Sequence, residues 1–254
     1  MSGWKDHIAF VLVEPTEPGN IGAAARALKN MGFRRLELVR PTEHLSFQAR
    51  AMACGAKDIL ERAPIHSSFE EAIAGATLVV GTTRRRGRNR GLFLPFKDGA
   101  ERIVRAAPGN KVAVLFGNEH NGLTNSELAS CAFLLTIPTD DAAPSLNLAQ
   151  SVLLAAYELS RLPAPGEIPK FVTQTEIQRL FRRVQSTIRL LEYTARGDRD
   201  LEAEILRNLR QVIGRSGLTT WEYNMIYGLC SQAERKLKPR PADSGGPKGR
   251  RPGY

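Results

Sequence analysis

Short apolar runs alternate with helical patterns over residues 1–161, and this order constrains the fold more than any other feature of the sequence. Continuous apolar runs are typical of strands that are buried on both faces. Strands that are separated by helix-length segments form a mostly parallel sheet with helices on both faces. The pattern predicts helices at residues 20–31 and 146–162, and strands at residues 7–13, 36–39, 77–81, 112–116 and 133–137.

Residues 162–171 interrupt the alternation with three prolines and one glycine, which is typical of a linker. Residues 172–238 then carry apolar side chains at helical spacing, so we expect a small all-α domain of three helices. Residues 239–254 are rich in glycine, proline and basic side chains, and we expect them to be disordered. The sequence therefore predicts an α/β domain at residues 1–161, a linker, a helical extension and a basic tail.

The helix starts are marked by residues that cap backbone amides. Asn20 can cap the first helix, and Ser145 is placed to cap the helix at 146–162. Four further starts show a hydroxyl residue followed three positions later by glutamate, the pattern of a capping box. These pairs are Ser68 with Glu71, Thr124 with Glu127, Thr173 with Glu176, and Thr219 with Glu222.

The net charge of +10 is concentrated in two segments. Residues 84–97 hold six basic residues and no acidic one, and residues 235–254 hold seven basic residues and one aspartate. The rest of the chain is therefore close to neutral. This distribution predicts two contacts with a polyanion rather than an evenly basic surface.

Several function classes lack the residues that they need. The three cysteines show neither zinc-site spacing nor a disulfide framework, so no metal is expected. The sequence contains no nucleophile elbow, dinucleotide-binding glycine motif or P-loop, which argues against hydrolases, dinucleotide oxidoreductases and kinases. It also shows no signal-peptide pattern and no apolar run of membrane-spanning length, so we expect a cytoplasmic protein.

Two polar motifs fall where parallel strands end, the edge at which open α/β sheets bind ligands. The first, at residues 14–26, reads EPTEPGNIGAAAR and ends with Arg26. The second, at residues 116–123, reads FGNEHNGL and contains Glu119. The residues alone leave open a plain interpretation, in which the first is a capped helix with a solvated arginine and the second an ordinary loop.

Two further motifs follow strands at the same edge. Residues 137–150, IPTDDAAPSLNLAQ, lead into a helix N-terminus, whose backbone N–H donors can bind a ligand. The segment can equally be a plain helix cap that has no further function. Residues 82–90, TTRRRGRNR, form an arginine-rich loop. Because a guanidinium can donate two hydrogen bonds to one phosphate, this loop favours a nucleic-acid partner over a merely solvated role.

Four of these segments, in this order across residues 8–158, resemble the TrmH-like SPOUT family of RNA 2'-O-ribose methyltransferases. They are EPGNIGAAARALKNMGF, VGTTRR, LFGNEHNGL and IPTDDAAPSLNLAQSVLLAAYEL. The helical extension is similar to the TrmJ branch, which methylates the ribose of cytidine or uridine at tRNA position 32. The resemblance implies a C-terminal trefoil knot, an exception to the rule that chains do not thread loops. It also implies a homodimer with the active site at the subunit interface.

The resemblance also assigns roles to residues of this chain. It implies that S-adenosyl-L-methionine (AdoMet) binds to Thr82, Thr83, Arg84, Gly117, Ile137, Pro144, Ser145 and Leu146. The matching catalytic positions are Asn20, Arg26, Glu119, Ser145 and Asn147. The RNA-binding residues are expected to be Arg26, Arg84, Arg85, Arg86, Arg88 and Arg90, and the basic tail is a further hypothetical tether to tRNA.

Three alternatives to methylation of tRNA position 32 remain. The same reaction could act on rRNA or on another tRNA position, because the motifs report the chemistry and not the target. A catalytically silent RNA-binding protein could share the scaffold, but simple binding would not require the five catalytic positions together. A cofactor-binding α/β protein without an RNA partner is disfavoured by the acid-free arginine loop.

Overall fold

A computed structural model describes residues 3–84, 92–166, 168–193 and 200–237 of the 254-residue chain. Its centre is a parallel seven-stranded sheet with the order β3-β2-β1-β6-β4-β7-β5. The parallel sheet of the predicted fold is confirmed. The strands are β1 (Ile8–Val13), β2 (Arg35–Val39), β3 (Ile65–His66), β4 (Leu78–Thr82), β5 (Phe93–Leu94), β6 (Val112–Phe116) and β7 (Phe133–Leu135).

All five predicted strands are present, and two very short ones were missed. β3 and β5 have two residues each, too few for a hydrophobic pattern to be recognised. β7 ends at Leu135 instead of residue 137. The hydroxyl of Thr136 instead donates a hydrogen bond to the backbone oxygen of Thr83, where the chain leaves the sheet.

Helices cover both faces of the sheet, as the pattern predicts. Along β1, alternate residues such as Phe10 and Val11 point into two separate apolar clusters. The first cluster lies beneath α1, α2, α3, α5 and α7, and the second beneath α4 and α6. These helices are α1 (Pro18–Asn30), α2 (Phe47–Met52), α3 (Lys57–Glu61), α4 (Phe69–Ile73), α5 (Phe96–Ala106), α6 (Asn125–Ala129) and α7 (Leu148–Arg161), preceded by a 3₁₀ turn at Trp4–His7.

Two of the predicted helix caps are wrong. α1 begins at Pro18, so Asn20 lies within its first turn rather than in front of it. α7 begins at Leu148, and its cap is Asn147. The Asn147 side chain accepts hydrogen bonds from the backbone amides of Ala149 and Gln150, which have no partner within the helix. The capping boxes at Thr124, Thr173 and Thr219 are confirmed.

The capping box predicted for Ser68 is only half formed. The Ser68 hydroxyl accepts a hydrogen bond from the Glu71 amide, as expected. The Glu71 carboxylate, however, accepts hydrogen bonds from the backbone amide and hydroxyl of Ser67. The reciprocal contact is therefore displaced by one residue.

Three helices follow the sheet and form an apolar cluster of their own: α8 (Gln174–Leu190), α9 (Leu201–Ser216) and α10 (Thr220–Leu237). The extension is attached to the sheet region by backbone and side-chain hydrogen bonds. Asn110 donates from Nδ2 to the Pro169 oxygen at 3.2 Å and accepts from the Phe171 amide at 2.8 Å. The division of the chain at residues 162–171 remains a prediction, and the tail at 239–254 lies outside the described residues.

The described helices include none that is long and apolar enough to cross a membrane. Within the four described ranges, no group of three or more His, Cys, Asp or Glu side chains is arranged to hold a metal ion.

Candidate functional site

Three loops meet at the carboxyl edge of the sheet and enclose a cavity of about 160 Å³. They follow β4, β6 and β7, three strands that are near one another in the sheet. Parallel strands bring the loops at their ends to one edge, which explains why segments distant in sequence meet here. The lining includes all eight residues expected to bind AdoMet, namely Thr82, Thr83, Arg84, Gly117, Ile137, Pro144, Ser145 and Leu146.

Glu119 also lines this cavity, and its carboxylate is held by hydrogen bonds from the loop after β1 and from the first turn of α1. Its Oε2 accepts from both the backbone amide and the hydroxyl of Thr16, each at 2.9 Å. Its Oε1 accepts from Nδ2 of Asn20 at 3.0 Å and from the Glu17 amide at 3.3 Å. Four donors therefore fix both carboxylate oxygens.

Two opposing effects act on the Glu119 carboxyl group. Partial burial favours the neutral acid, whereas the hydrogen bonds from Asn20 and Thr16 favour the carboxylate. The combined effect lowers the pKa of Glu119 below its ordinary value. The group is thus an anionic acceptor at neutral pH, held in a fixed orientation.

Asn20 connects Glu119 to the start of α7. While its Nδ2 donates to Glu119, its Oδ1 accepts a 2.8 Å hydrogen bond from Nδ2 of Asn147. The Oδ1 of Asn147 accepts in turn from the amides of Ala149 and Gln150. The structure therefore joins three of the predicted catalytic residues in one hydrogen-bonded chain.

The loop that carries Glu119 folds back tightly on itself. The Gly122 amide donates to the Asn118 oxygen at 2.8 Å, and a Cβ on Gly117 would lie 2.2 Å from backbone atoms of Gly122 and Leu123. The side chain of Asn118 accepts from the His120 amide and donates to the Glu14 oxygen. A residue other than glycine at position 117 would force this loop to move.

The remaining predicted residues lie around this network without joining it. Ser145 lines the cavity, and its exposed hydroxyl makes no hydrogen bond with a described residue. Arg26 is exposed on α1, about 9 Å along the helix axis from Asn20, and has no ion pair within the described chain. Arg84 borders the cavity, whereas Arg85, Arg86, Arg88 and Arg90 lie outside the described residues.

Thr16 and Asn118 hold this site together but were missed in the sequence. Both stand inside motifs that the sequence singles out, EPTEPGN and FGNEHNGL. A signal did exist, because side-chain amides and hydroxyls next to glycine and proline commonly bond to nearby backbone. Their partners are set by the tertiary fold, however, since Thr16 and Glu119 are 103 residues apart.

A larger cavity of about 760 Å³ lies between the sheet region and the helical extension. It is lined by Thr77 and Leu78 at the amino end of β4, and by residues of α5, α6, α8 and α9. It includes none of the predicted catalytic or cofactor-binding residues. The carboxyl-edge cavity is therefore the candidate site.

Comparison with known proteins places residues 7–157 in register with the model of the SpoU rRNA methylase family. The tRNA (cytidine/uridine/adenosine-2'-O-)-methyltransferase TrmJ of Pseudomonas aeruginosa is 34% identical over 246 residues, which covers 91% of this chain and 95% of that protein. The tRNA (cytidine/uridine-2'-O-)-methyltransferase TrmJ of Sodalis glossinidius is 34% identical over 244 residues, covering 92% and 93%.

A solved structure supports the same relationship along nearly the whole chain. TrmJ from Z. mobilis ZM4 superposes with a TM-score of 0.72 at 29% sequence identity. The match covers 89% of this chain and 98% of that one. The similarity therefore includes much of the helical extension as well as the sheet.

Proposed function

Because the chain belongs to the SpoU rRNA methylase family and is an RNA methyltransferase with a SPOUT-type fold, we propose that it methylates a ribose 2'-hydroxyl of tRNA. The favoured target is nucleotide 32 of the anticodon loop, and the methyl donor is AdoMet. One observation carries the proposal: the anionic Glu119, which is hydrogen-bonded to Asn20 and through it to Asn147, lines a cavity together with all eight expected cofactor residues. The names of both TrmJ relatives specify tRNA and 2'-O-methylation.

The chemistry of the cavity lining suits AdoMet. Glycine, proline and aliphatic residues leave backbone groups accessible for an adenine, and Thr82, Thr83 and Ser145 add hydroxyls. The Glu119 carboxylate supplies negative charge beside a ligand that carries a sulfonium and an ammonium group. When bound, AdoMet supplies an activated methyl group with a good leaving group.

The residues of the chain then have to position the ribose and stabilise the negative charge that develops on its 2'-oxygen. Asn20 and Asn147 fix the orientation of Glu119 and of the α7 N-terminus, so the site is preorganised before RNA binds. Ser145 has a hydroxyl available to the substrate. Positioning is expected to supply most of the rate acceleration.

Arg26 acts in this proposal as an electrostatic clamp. A guanidinium stays protonated in proteins, so it cannot serve as the base. It can bind the phosphate next to the target ribose in a bidentate way and stabilise the negative charge that develops on the 2'-oxygen. Its exposure and its lack of an ion pair with the described residues support this role.

RNA is expected to contact the arginine-rich segment beside the cavity. Arg84 borders the cavity, and Arg85, Arg86, Arg88 and Arg90 follow it directly in the sequence. The tail at 239–254 adds four basic residues and one acidic one, and we assign it the role of a tether. Deleting it should weaken tRNA binding and flatten the dependence of affinity on salt; equal binding at every salt concentration would exclude the tether.

A homodimer is part of the proposal, and an exposed apolar stripe on α7 supports it. Leu153, Leu154 and Tyr157 are each more than a third exposed, although the opposite face of α7 is buried in the sheet domain. α7 packs against α1, the helix that carries Arg26. Replacing Leu154 with glutamate should raise the dissociation constant of the dimer in sedimentation analysis. Since tRNA is the substrate, the cytoplasm is the proposed compartment.

Methyl transfer to purified RNA tests the function. The protein is incubated with methyl-labelled AdoMet and either tRNA or rRNA, and the modified nucleotide is then mapped. Label in tRNA at the ribose of nucleotide 32 supports the proposal in full. Transfer to rRNA alone, or to another tRNA position, would contradict the target, and no transfer to either RNA would leave a silent RNA-binding protein.

A further inference from the structure

Helix α10 presents an apolar stripe that no described part of the chain covers. Trp221 is 72% exposed, Met225 45% and Leu229 66%, and their spacing of four residues places them on one side of the helix. The other side of α10 packs against α8, with Tyr223 and Tyr227 next to the apolar cluster of the extension. The exposed stripe is therefore additional to what the fold of the extension needs.

The charges on α10 argue for a protein partner rather than RNA. From Thr220 to Glu234 the helix contains no lysine or arginine, and its first basic residues are Arg235 and Lys236. An RNA-binding face needs basic side chains among its aromatic ones, because phosphate contacts supply most of the affinity. The chain's own tail is a poor occupant, since residues 238–254 consist mainly of glycine, proline and charged residues.

The stripe is complementary to a second copy of itself. In two identical antiparallel helices, residues lie opposite each other when their numbers add to a constant. With a two-fold axis at position 229, Trp221 lies opposite Leu237 of the second copy, and both are exposed apolar side chains. Glu222 lies opposite Lys236, which pairs opposite charges.

The centre of this arrangement is also sterically suited to close packing. Leu229 meets Leu229 of the second copy and can be buried by the contact. A Cβ added at Gly228 would have no atom within 4 Å, so the backbone there is open to a neighbouring helix. Small residues at a helix contact allow two backbones to approach closely, with the larger Leu229 side chains packing beside them.

We propose that α10 packs antiparallel against α10 of a second copy of this chain, about a two-fold axis near Gly228 and Leu229. The contact is isologous, since the same residues take part on both sides. It is distinct from the α7 contact and does not depend on the proposed methyl transfer. The helical extension is thereby a self-association element in addition to any part it has in binding RNA.

Disulfide trapping tests the geometry directly. Leu229 is replaced with cysteine in a full-length chain in which Cys54 and Cys230 are serine, and the protein is mildly oxidised. A two-fold axis at position 229 predicts a covalent dimer on non-reducing gels. The matched control, Asn208→Cys at an exposed position on α9, should give at least tenfold less dimer. Equal yields from the two variants would overturn the proposal.

A second variant separates self-association from RNA binding. Leu229→Glu leaves a mostly exposed position exposed, so the circular dichroism spectrum should not change. Leu154→Glu weakens the α7 contact, and Leu229→Glu is then added to it. The dissociation constant of the double variant, measured by sedimentation, should be at least tenfold higher than that of Leu154→Glu alone. An unchanged dissociation constant, with or without weaker tRNA binding, would contradict the α10 contact.

Discussion

Asn20 donates a hydrogen bond of 3.0 Å from Nδ2 to Oε1 of Glu119, although 99 residues separate them in the chain. Because Oδ1 of the same amide accepts from Asn147, the contact joins α1, the loop after β6 and the start of α7. The two ends of one amide thus define the relative positions of three segments. A site built in this way should be sensitive to small changes in its donors.

Removing the hydroxyl of Thr16 should change the pH dependence of activity. It is one of the donors that lower the pKa of Glu119, so its loss in Thr16→Val should raise that pKa. The carboxylate would then be protonated at a higher pH, and the acidic limb of the kcat/KM profile should move upward. Activity should recover toward the wild-type level as pH rises.

Thr16→Ser is the control for this effect, because it keeps the hydroxyl and should keep the wild-type profile. A Thr16→Val enzyme that loses activity equally at all pH values would contradict the role assigned to Glu119 ionisation. Such a result would point to a general distortion of the loop instead.

Arg26 should be required for turnover but not for cofactor binding. Losing one preorganised contact to developing negative charge costs about 10²–10³ in kcat, and we expect this loss for Arg26→Ala. Arg26→Lys should also be impaired, because an ammonium cannot form the bidentate contact. Lys29→Ala, on the same helix, is the control and should be nearly normal. Near-normal turnover by Arg26→Lys would rule out bidentate clamping.

Gly117→Ala should weaken AdoMet binding at least tenfold. The new Cβ would lie 2.2 Å from backbone atoms of Gly122 and Leu123, so the cavity-lining loop must shift. Isothermal titration calorimetry measures the effect, and circular dichroism verifies the fold. Gly166→Ala is a matched control, since its Cβ would meet no atom within 4 Å. Unchanged affinity in Gly117→Ala would separate this loop from the cofactor site.

Glu234 is expected to be important for the stability of the helical extension. It is 5% exposed, and its Oε2 lies 3.1 Å from Nη1 of Arg183, whose Nε is buried without a hydrogen bond. The Arg183 side chain is 32% exposed and keeps some access to water, so Glu234→Ala should lower the free energy of unfolding by about 2 kcal/mol.

Denaturant unfolding measures this loss. The double variant Arg183→Met with Glu234→Leu should restore most of the stability, because apolar side chains can replace a buried ion pair. A loss below about 1 kcal/mol in Glu234→Ala would show that the pair is not effectively buried.

The convergence of the cofactor loops could be predicted from the sequence, and the details of their hydrogen bonds could not. Parallel strands place their carboxyl ends at one edge, so Thr82, Gly117 and Ile137 had to lie near one another once the strands were recognised. The capping role of Ser145 was wrong because Asn147, two residues later, competes for the same amides. The length of the intervening loop decides between them, and a sequence pattern does not report it.

The contacts of Asn20 show the same limit. The pattern identifies it as a helix cap, since local backbone is the commonest partner of such a side chain. In the fold, both ends of its amide have partners more than 90 residues away in sequence. Only tertiary structure shows that the residue connects segments.

The central claim is tested most directly by a transcript that lacks one oxygen atom. A tRNA with a 2'-deoxyribose at nucleotide 32 is compared with the otherwise identical all-ribose tRNA in transfer of labelled methyl groups from AdoMet. The account predicts stoichiometric methylation of the all-ribose tRNA and background label in the deoxy variant, with both tRNAs bound equally well. Equal methylation of the two transcripts would contradict it.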